Sequence, residues 1–323
     1  MRNFILKIIT GFVIISCILY GVDKLATYGL SKSKFNTFKD LNELYENNIN
    51  AEIILLGSSR TYVMMNPIIF DSILNMNTYN FGQDGATIHL QKAIFNDVIT
   101  YNNSSLKLII QNIDLTTLLP NKENYSKQRF YPHLDKKNLY TNLYNFDASF
   151  WKYKYIPLYK FSSSLSMFGR GLLLAFDIPI KENYTKIKGY RPSNENWNND
   201  FEDYKKNLNT GKVVYDQDLL EDGFKILEEF IEETSKKGIQ YIIVFAPMYI
   251  EMNNMQIQNE MLKKRLEEYA LKYKHVYFYD YSNLPMNSDK GYFYNSYHLN
   301  TNGANIFSKR FANDLKQNSI IKK

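Results

Sequence analysis

Glu52-Ile-Ile-Leu-Leu-Gly57-Ser-Ser59-Arg60 is the stretch on which the fold turns. Its apolar residues run without interruption and stop at a glycine. A strand with one wet face would alternate polar and apolar residues. An unbroken run suits a strand buried on both faces of a parallel sheet. The glycine permits a sharp turn, and the serines that follow stand where the carboxyl end of the strand gives way to a helix. Reactive side chains in open α/β sheets gather at that edge.

Working outward, similar apolar runs recur at residues 106–113 and 239–246, more weakly at 276–281, and as a short candidate strand at 78–81. Helical patterns separate them. Residues 223–237 place Phe224, Leu227, Phe230 and Ile231 on one stripe and stop at Gly238. Residues 255–274 form a charged amphipathic pattern, 302–315 close the chain, and 40–47 look like a short helix leading in. Alternating strands and helices predict an α/β fold of three layers, α/β/α, around a parallel sheet.

The interval 118–215 breaks this rhythm. It is rich in aromatics, including Trp151, Tyr153, Tyr155, Tyr159, Phe161, Phe168 and Trp197, and is expected to be an insertion or cap over the sheet's carboxyl edge. Within it, Gly169-Arg-Gly-Leu-Leu-Leu-Ala-Phe176 would either touch lipid or an acyl chain, or fill the cap's own core.

The N-terminus bears on compartment. Residues 4–22 read FILKIITGFVIISCILYGV, broken only by Lys7. At 1.5 Å per residue such a helix is roughly 28 Å long, close to a bilayer core of ~30 Å. Arg2 and Lys7 favour a cytoplasmic N-terminus, which predicts a single-pass cell-membrane protein with its main domain outside the cytoplasm. The expected division is an anchor at 1–24 and one domain at 25–323. A cleaved signal peptide is a rival, though no small-x-small site follows the apolar run. Lipidation at Cys17 is another, since Ile14-Ile-Ser-Cys17 loosely resembles a processing site, but more apolar residues follow it.

Composition excludes several classes. One cysteine allows no intramolecular disulfide, and with only four histidines a structural zinc site is not expected. The net charge of +6 is spread along the chain, without the basic and aromatic cluster of a nucleic-acid groove. The turn after the first strand lacks Gly-x-Gly-x-x-Gly, which argues against a dinucleotide-binding domain. No metal or cofactor is expected.

The chemistry rests on two ends of the chain. Ser59 follows the first strand, while Asn295-Ser-Tyr-His298-Leu-Asn300 precedes the last helix. A serine hydroxyl is a poor nucleophile until a neighbour takes its proton, and a histidine in a loop before the final helix could return to do so. Between them stands Asn80-Phe-Gly-Gln-Asp-Gly85-Ala.

Together these blocks, in this order, resemble the SGNH (GDSL-type) hydrolases, whose sheet is flavodoxin-like. Gly57-Ser-Ser59 is similar to their first block, Asn80–Ala86 to their second, and His298-Leu-Asn-x-x-Gly303 to their last. The resemblance implies Ser59 as nucleophile and His298 as general base, then acid. It also implies an oxyanion hole from the backbone N–H groups of Ser59 and Gly85. Two positions depart from the pattern. Asn295 stands where the family has an aspartate, leaving Asp289 or Asp280 as conceivable substitutes. Ile113 stands where it has an oxyanion-hole asparagine, leaving Gln111 or Asn112 to supply a donor. Arg60 and His89 are candidate substrate contacts.

One N-terminal anchor with an external SGNH domain resembles the D-alanyl-transfer protein of teichoic-acid modification and the polysaccharide O-acetylation proteins. The expectation is an O-acyltransferase or esterase acting on an envelope glycan or teichoic-acid-like polymer, with a membrane-bound O-acyltransferase as a conceivable partner. The alternative is a catalytically weak domain that binds polymer or organises an envelope complex.

Overall fold

The structure is a computed structural model that describes residues 1–102, 106–123, 125–208 and 211–318. The chain forms two compact units, one of Met1–Glu46 with Ser126–Thr185, the other of Asn47–Tyr125 with Lys186–Lys323.

The second unit holds the sheet. Its strands are β1 (Ile53–Leu56), β2 (Thr78–Asn80), β3 (Leu108–Asn112), β4 (Gln240–Phe245) and β5 (Val276–Asp280). They pair in parallel in the order β2-β1-β3-β4-β5, with helices on both sides. This is the flavodoxin-like order, whose switch point lies between β1 and β3. The three central strands carry the strong apolar runs because helices cover both their faces. Ile53, Leu55, Leu108, Ile110, Ile242 and Val244 meet Phe70, Phe307 and Phe311 on one side. On the other, Gln91 of the helix Ile88–Tyr101 bonds Gln111 of β3, and Phe95 stacks on Phe230 at 4.1 Å.

The two weak runs, at 78–81 and 276–281, are the edge strands. The outer side of β2 is closed by Lys188, whose carbonyl accepts from the Asn80 N–H at 2.9 Å. Gly189 follows at φ +83°, and a Cβ there would lie 1.9 Å from the Asn80 carbonyl oxygen. The amphipathic helix expected at 223–237 begins earlier, at Gln217, because Asp216 caps it by accepting from the Asp218 and Leu219 N–H groups.

The aromatic interval 118–215 divides between the units. Ser126–Thr185 belongs with the N-terminal helix. The part beyond it builds the α/β core: Tyr190 is buried, Trp197 packs against Tyr249 at 4.8 Å, and Arg191 N–H donates to the Tyr62 carbonyl.

In the first unit the N-terminal helix spans Arg2–Ser31. Its most apolar window has mean hydropathy 2.3 with no residue buried, and among the described residues it is the one helix long and apolar enough to cross a membrane. The helix runs past residue 24, and Asp23, Ala26, Gly29 and Leu30 are buried. They pack on the helix Leu165–Ala175, where a Cβ on Gly171 would stand 2.4 Å from the Ala26 carbonyl oxygen. Small residues there let two backbones touch. Gly171 thus faces a helix, while Leu173 and Phe176 of the same segment are exposed. His133 is a packing histidine of this unit: its Nε2 lies 2.7 Å from Asn42 Oδ1, and burial first, then Lys136, holds its pKa down at about 3.

Candidate active site

The site is assembled at the carboxyl ends of β1, β2 and β3, beside the switch point. Gly57 leaves β1 at φ +152°, and a Cβ on it would fall 2.1 Å from Thr61 Oγ1, so the turn needs glycine. Ser58 caps the helix Ser59–Met64. Ser59 is therefore the first helical residue, whose N–H has no partner within the helix.

The second block is held by its asparagine. Asn80 Nδ2 donates to the Thr61 and Met65 carbonyls at 2.8 and 2.9 Å, while its Oδ1 accepts from the Gly82 N–H at 2.8 Å. This ties the loop after β2 to the Ser59 helix. The loop then turns at Gly85, φ +67°, which lines the same cavity as Ser59.

The last block is a closed loop. Phe293 bridges Leu299, and Tyr294 N–H donates to the His298 carbonyl at 3.1 Å. Asn300 Oδ1 caps the final helix through the Gly303 N–H. Gly303 is required because a Cβ there would lie 2.3 Å from the Tyr292 carbonyl oxygen.

Within this frame His298 Nε2 lies 2.8 Å from Ser59 Oγ, and His298 Nδ1 lies 2.9 Å from Asn295 Oδ1. The proton positions follow from the neighbours. Asn295 Oδ1 also accepts from the Tyr297 and His298 backbone N–H groups at 3.0 and 2.9 Å. Those are obligatory donors, so this amide atom must be the oxygen, and Nδ1 must carry the proton. That leaves Nε2 as an acceptor, to which Ser59 Oγ–H donates. The Tyr294 ring lies parallel to the imidazole, with centroids 5.2 Å apart.

Burial above all, then the Arg60 charge, pushes the His298 pKa down to about 3, with Asp114 opposing and Arg191 adding to the effect. The imidazole is therefore neutral with Nε2 unprotonated, and the burial that keeps it neutral also makes it a weak base. Neither Asp289 nor Asp280 stands in for the missing carboxylate: Asp289 caps the Gly291 N–H, and Asp280 lies against Lys263 and the Ser282 N–H.

Ser59, His298 and Asn295 are thus brought together, with Gly85 on the cavity wall. Arg60 is not a free anion hook. Its guanidinium, only 2% exposed, donates to Asp114 Oδ2 at 2.9 Å and to the Ala246 and Pro247 carbonyls at 2.7 and 2.9 Å. Burial raises the Asp114 carboxyl, but Arg60 and the bonds from Thr116 and Thr117 outweigh it, leaving the group below the usual carboxylate range.

Asn112 is not turned toward the cavity either. Its Nδ2 donates to Asp114 and its Oδ1 accepts from the Ala246 N–H, so the side chain joins β3 to β4. Gln111 is occupied by Gln91 and Tyr241 on the far face of the sheet. Ile113 is fully buried. His89 lies outside the cavity wall, among Asp222, Lys92 and Lys122, and burial lowers its pKa.

Several wall residues escape sequence reasoning. The cavity, about 300 Å³, is also lined by Thr87, Thr116, Thr117, Asn121 and Tyr297. The Thr87 and Thr117 hydroxyls are buried and, among the described residues, have no hydrogen-bond partner. Tyr297 OH accepts from Gln256 Nε2 at 3.0 Å, and burial pushes the phenol up to about 12. Thr116-Thr117 follows β3 as Ser59 follows β1, and that repeat of position was the available signal.

No known protein family matches this chain, and no curated protein matches it. Among solved structures, one from Bacteroides fragilis, provisionally assigned as an acylhydrolase, matches over 84% of this chain and 94% of that one. The identity is 13% and the TM-score 0.41. A likeness so distant carries no argument, and the functional reading rests on the site itself.

Proposed function

We propose that this chain is an SGNH-type serine enzyme of acyl transfer, an esterase or O-acyltransferase working through an acyl-enzyme on Ser59. The observation that carries it is the Ser59–His298–Asn295 relay, with its proton positions set by backbone donors. Ser59 Oγ loses its proton to His298 Nε2 and bonds to the acyl carbon, whose oxygen becomes an oxyanion facing the Ser59 and Gly85 N–H groups. As the intermediate collapses, the acyl–oxygen bond of the donor breaks, and the leaving alcohol takes the proton from His298. Water or a sugar hydroxyl then repeats the sequence in reverse.

A cavity of about 300 Å³ is at the small end for ligand pockets, and its wall is rich in hydroxyls. That favours a short acyl group and a hydroxyl-bearing acceptor over a long fatty chain. With an apolar N-terminal helix that can span a membrane, the acceptor class we favour is an envelope polysaccharide or teichoic-acid-like polymer outside the cytoplasm. A membrane-bound O-acyltransferase would then supply the acyl group.

The alternative, a catalytically weak polymer-binding domain, is favoured by two observations. Among the described residues no carboxylate bonds the His298 ring, and the Asn112 side chain is taken up by Asp114 and the Ala246 N–H. A fluorophosphonate probe separates the two. Covalent labelling that vanishes in Ser59→Ala supports the enzyme, and absent labelling with polymer binding retained supports the binding module. Mass analysis of envelope polymers with and without the protein then identifies the ester gained or lost.

A further inference from the structure

We propose that the first unit is seated in the membrane–water interface around the foot of the N-terminal helix, with Tyr155, Ile156 and Leu165 in the boundary between lipid headgroups and acyl chains. This rests on the reading of that helix as a membrane span, and concerns a surface that the acyl-transfer chemistry does not use.

The register between two helices carries the argument. Ala26 meets Gly171, a Cβ on Gly29 would fall between the Gly171 carbonyl and the Ala175 nitrogen, and Lys32 pairs with Asp177 at 2.7 Å. Numbers rise together, so the helix Leu165–Ala175 runs parallel to the N-terminal helix. Carried six residues back, Leu165 lies level with Tyr20, two residues before the apolar stretch ends.

A second tie sets the height of the segment before it. Asp23 is the first acidic residue after that stretch and only 3% exposed. Its Oδ1 accepts from the Leu158 N–H and its Oδ2 from Lys160 Nζ, both at 2.9 Å. Lys160 is equally buried, and an ion pair this dry does not slide. Tyr155 and Ile156, three and two residues before Leu158, are therefore held close to the level of Asp23.

These residues face outward. Leu165 is 82% exposed and Tyr155 62%, and Ile156 and Trp151 are exposed beside them. They lie around a helix whose main exposed apolar stretch runs from Phe4 to Tyr20, with Tyr28 exposed about two turns beyond it, so the collar continues a lipid-facing surface. Its composition fits that level. Tyr20 lies under Lys24 at 5.3 Å, and Lys154 reaches the Tyr140 and Tyr155 rings at 3.6 and 5.4 Å. Aromatic rings with lysines beside them suit a layer that is apolar below and anionic above.

The full-length protein, with Cys17→Ser as background, is placed in nanodiscs of phosphatidylglycerol and phosphatidylcholine. A nitroxide is attached in turn at Leu165→Cys, Tyr155→Cys and Phe176→Cys, and collisions with oxygen and with a water-soluble nickel chelate are compared. Phe176, also well exposed, is the internal control, since eleven residues of helix separate it from Leu165 by ~16 Å. The proposal expects labels at 165 and 155 to lose most nickel collisions while gaining oxygen collisions, with 176 open to nickel. Two collar positions guard against one variant misfolding.

A label on the native Cys17 tests the span separately. If it is hydrocarbon-buried while 165 and 155 are as open to nickel as 176, the span stands and the collar is overturned. If Cys17 itself is open to nickel, the span fails and the collar with it. Protection at 165 in native membranes but not in nanodiscs would assign the surface to a protein partner and overturn the lipid proposal.

Discussion

Replacing Asn295 by aspartate puts a carboxylate where the relay lacks one, without asking the backbone to move. The three groups that bond Asn295 Oδ1 are all donors, at 2.9 to 3.0 Å, and an aspartate oxygen accepts from each equally well. A unit charge about 4 Å from the imidazolium, at an effective dielectric of ~20, is worth roughly 4 kcal/mol of attraction, or about 3 pKa units. His298 should therefore rise from about 3 to near ~6. Attack on the acyl carbon places positive charge on this ring, so the same attraction lowers the barrier. A gain of ~10²–10³-fold is expected, below the ~10⁴ that the reverse change costs in a serine-protease triad. The assay is the second-order rate of fluorophosphonate labelling, and of the p-nitrophenyl acetate burst, measured across pH. In the wild type, with His298 neutral from pH values just above about 3, no acid limb should appear between about pH 5 and 8. In Asn295→Asp a limb should emerge near ~6 with a higher plateau above it. An unchanged profile, or a slower rate with the melting temperature intact, would refute the reasoning.

Other outcomes follow from the same geometry. Arg60→Gln should leave Asp114 a buried, unpaired carboxylate and cost ~3–5 kcal/mol of stability, read as a lower urea midpoint. If Arg60 instead served an anionic substrate, KM would rise with the midpoint unmoved. Thr117→Val keeps the shape and removes an unpartnered buried hydroxyl. We expect kcat/KM to fall about tenfold, for the ~1 kcal/mol of one hydrogen bond to bound substrate, while the urea midpoint holds or rises; an unchanged kcat/KM would remove this hydroxyl from the substrate site. Gly171→Leu should separate the two helices of the first unit, since even its Cβ would collide with the Ala26 carbonyl. Limited proteolysis would then cut within Ser126–Thr185 first, and cutting unchanged from wild type would disprove the packing.

Much of the arrangement was legible in local pattern. Unbroken apolar runs marked the central strands because both their faces are covered, and the edge strands read faintly because less of them is covered or because they are short. The blocks around Gly57, Gly85 and Gly303 were visible because each glycine answers a local demand: a positive φ at the first two, a close backbone approach at the third. Helix starts were harder. Asp216 caps its helix seven residues before the amphipathic stripe was expected to begin, since capping acts through one side chain and leaves no period to detect.

Sequence alone, then, established the parallel α/β layering, the apolar N-terminal helix, and Ser59 and His298 as the residues to watch, because each depends on neighbours a few positions away. Tertiary structure decided what depended on distant partners. Arg60 is locked to Asp114, 54 residues on, and so is spent as an anion contact. Asn112 is turned to β4 and Asp114 and lost to the oxyanion hole. The aromatic interval is shared between two cores. That His298 Nε2 meets Ser59 Oγ at 2.8 Å, across 239 residues of chain, was likewise decided only by the fold, for a proton acceptor is assigned by what it meets in space.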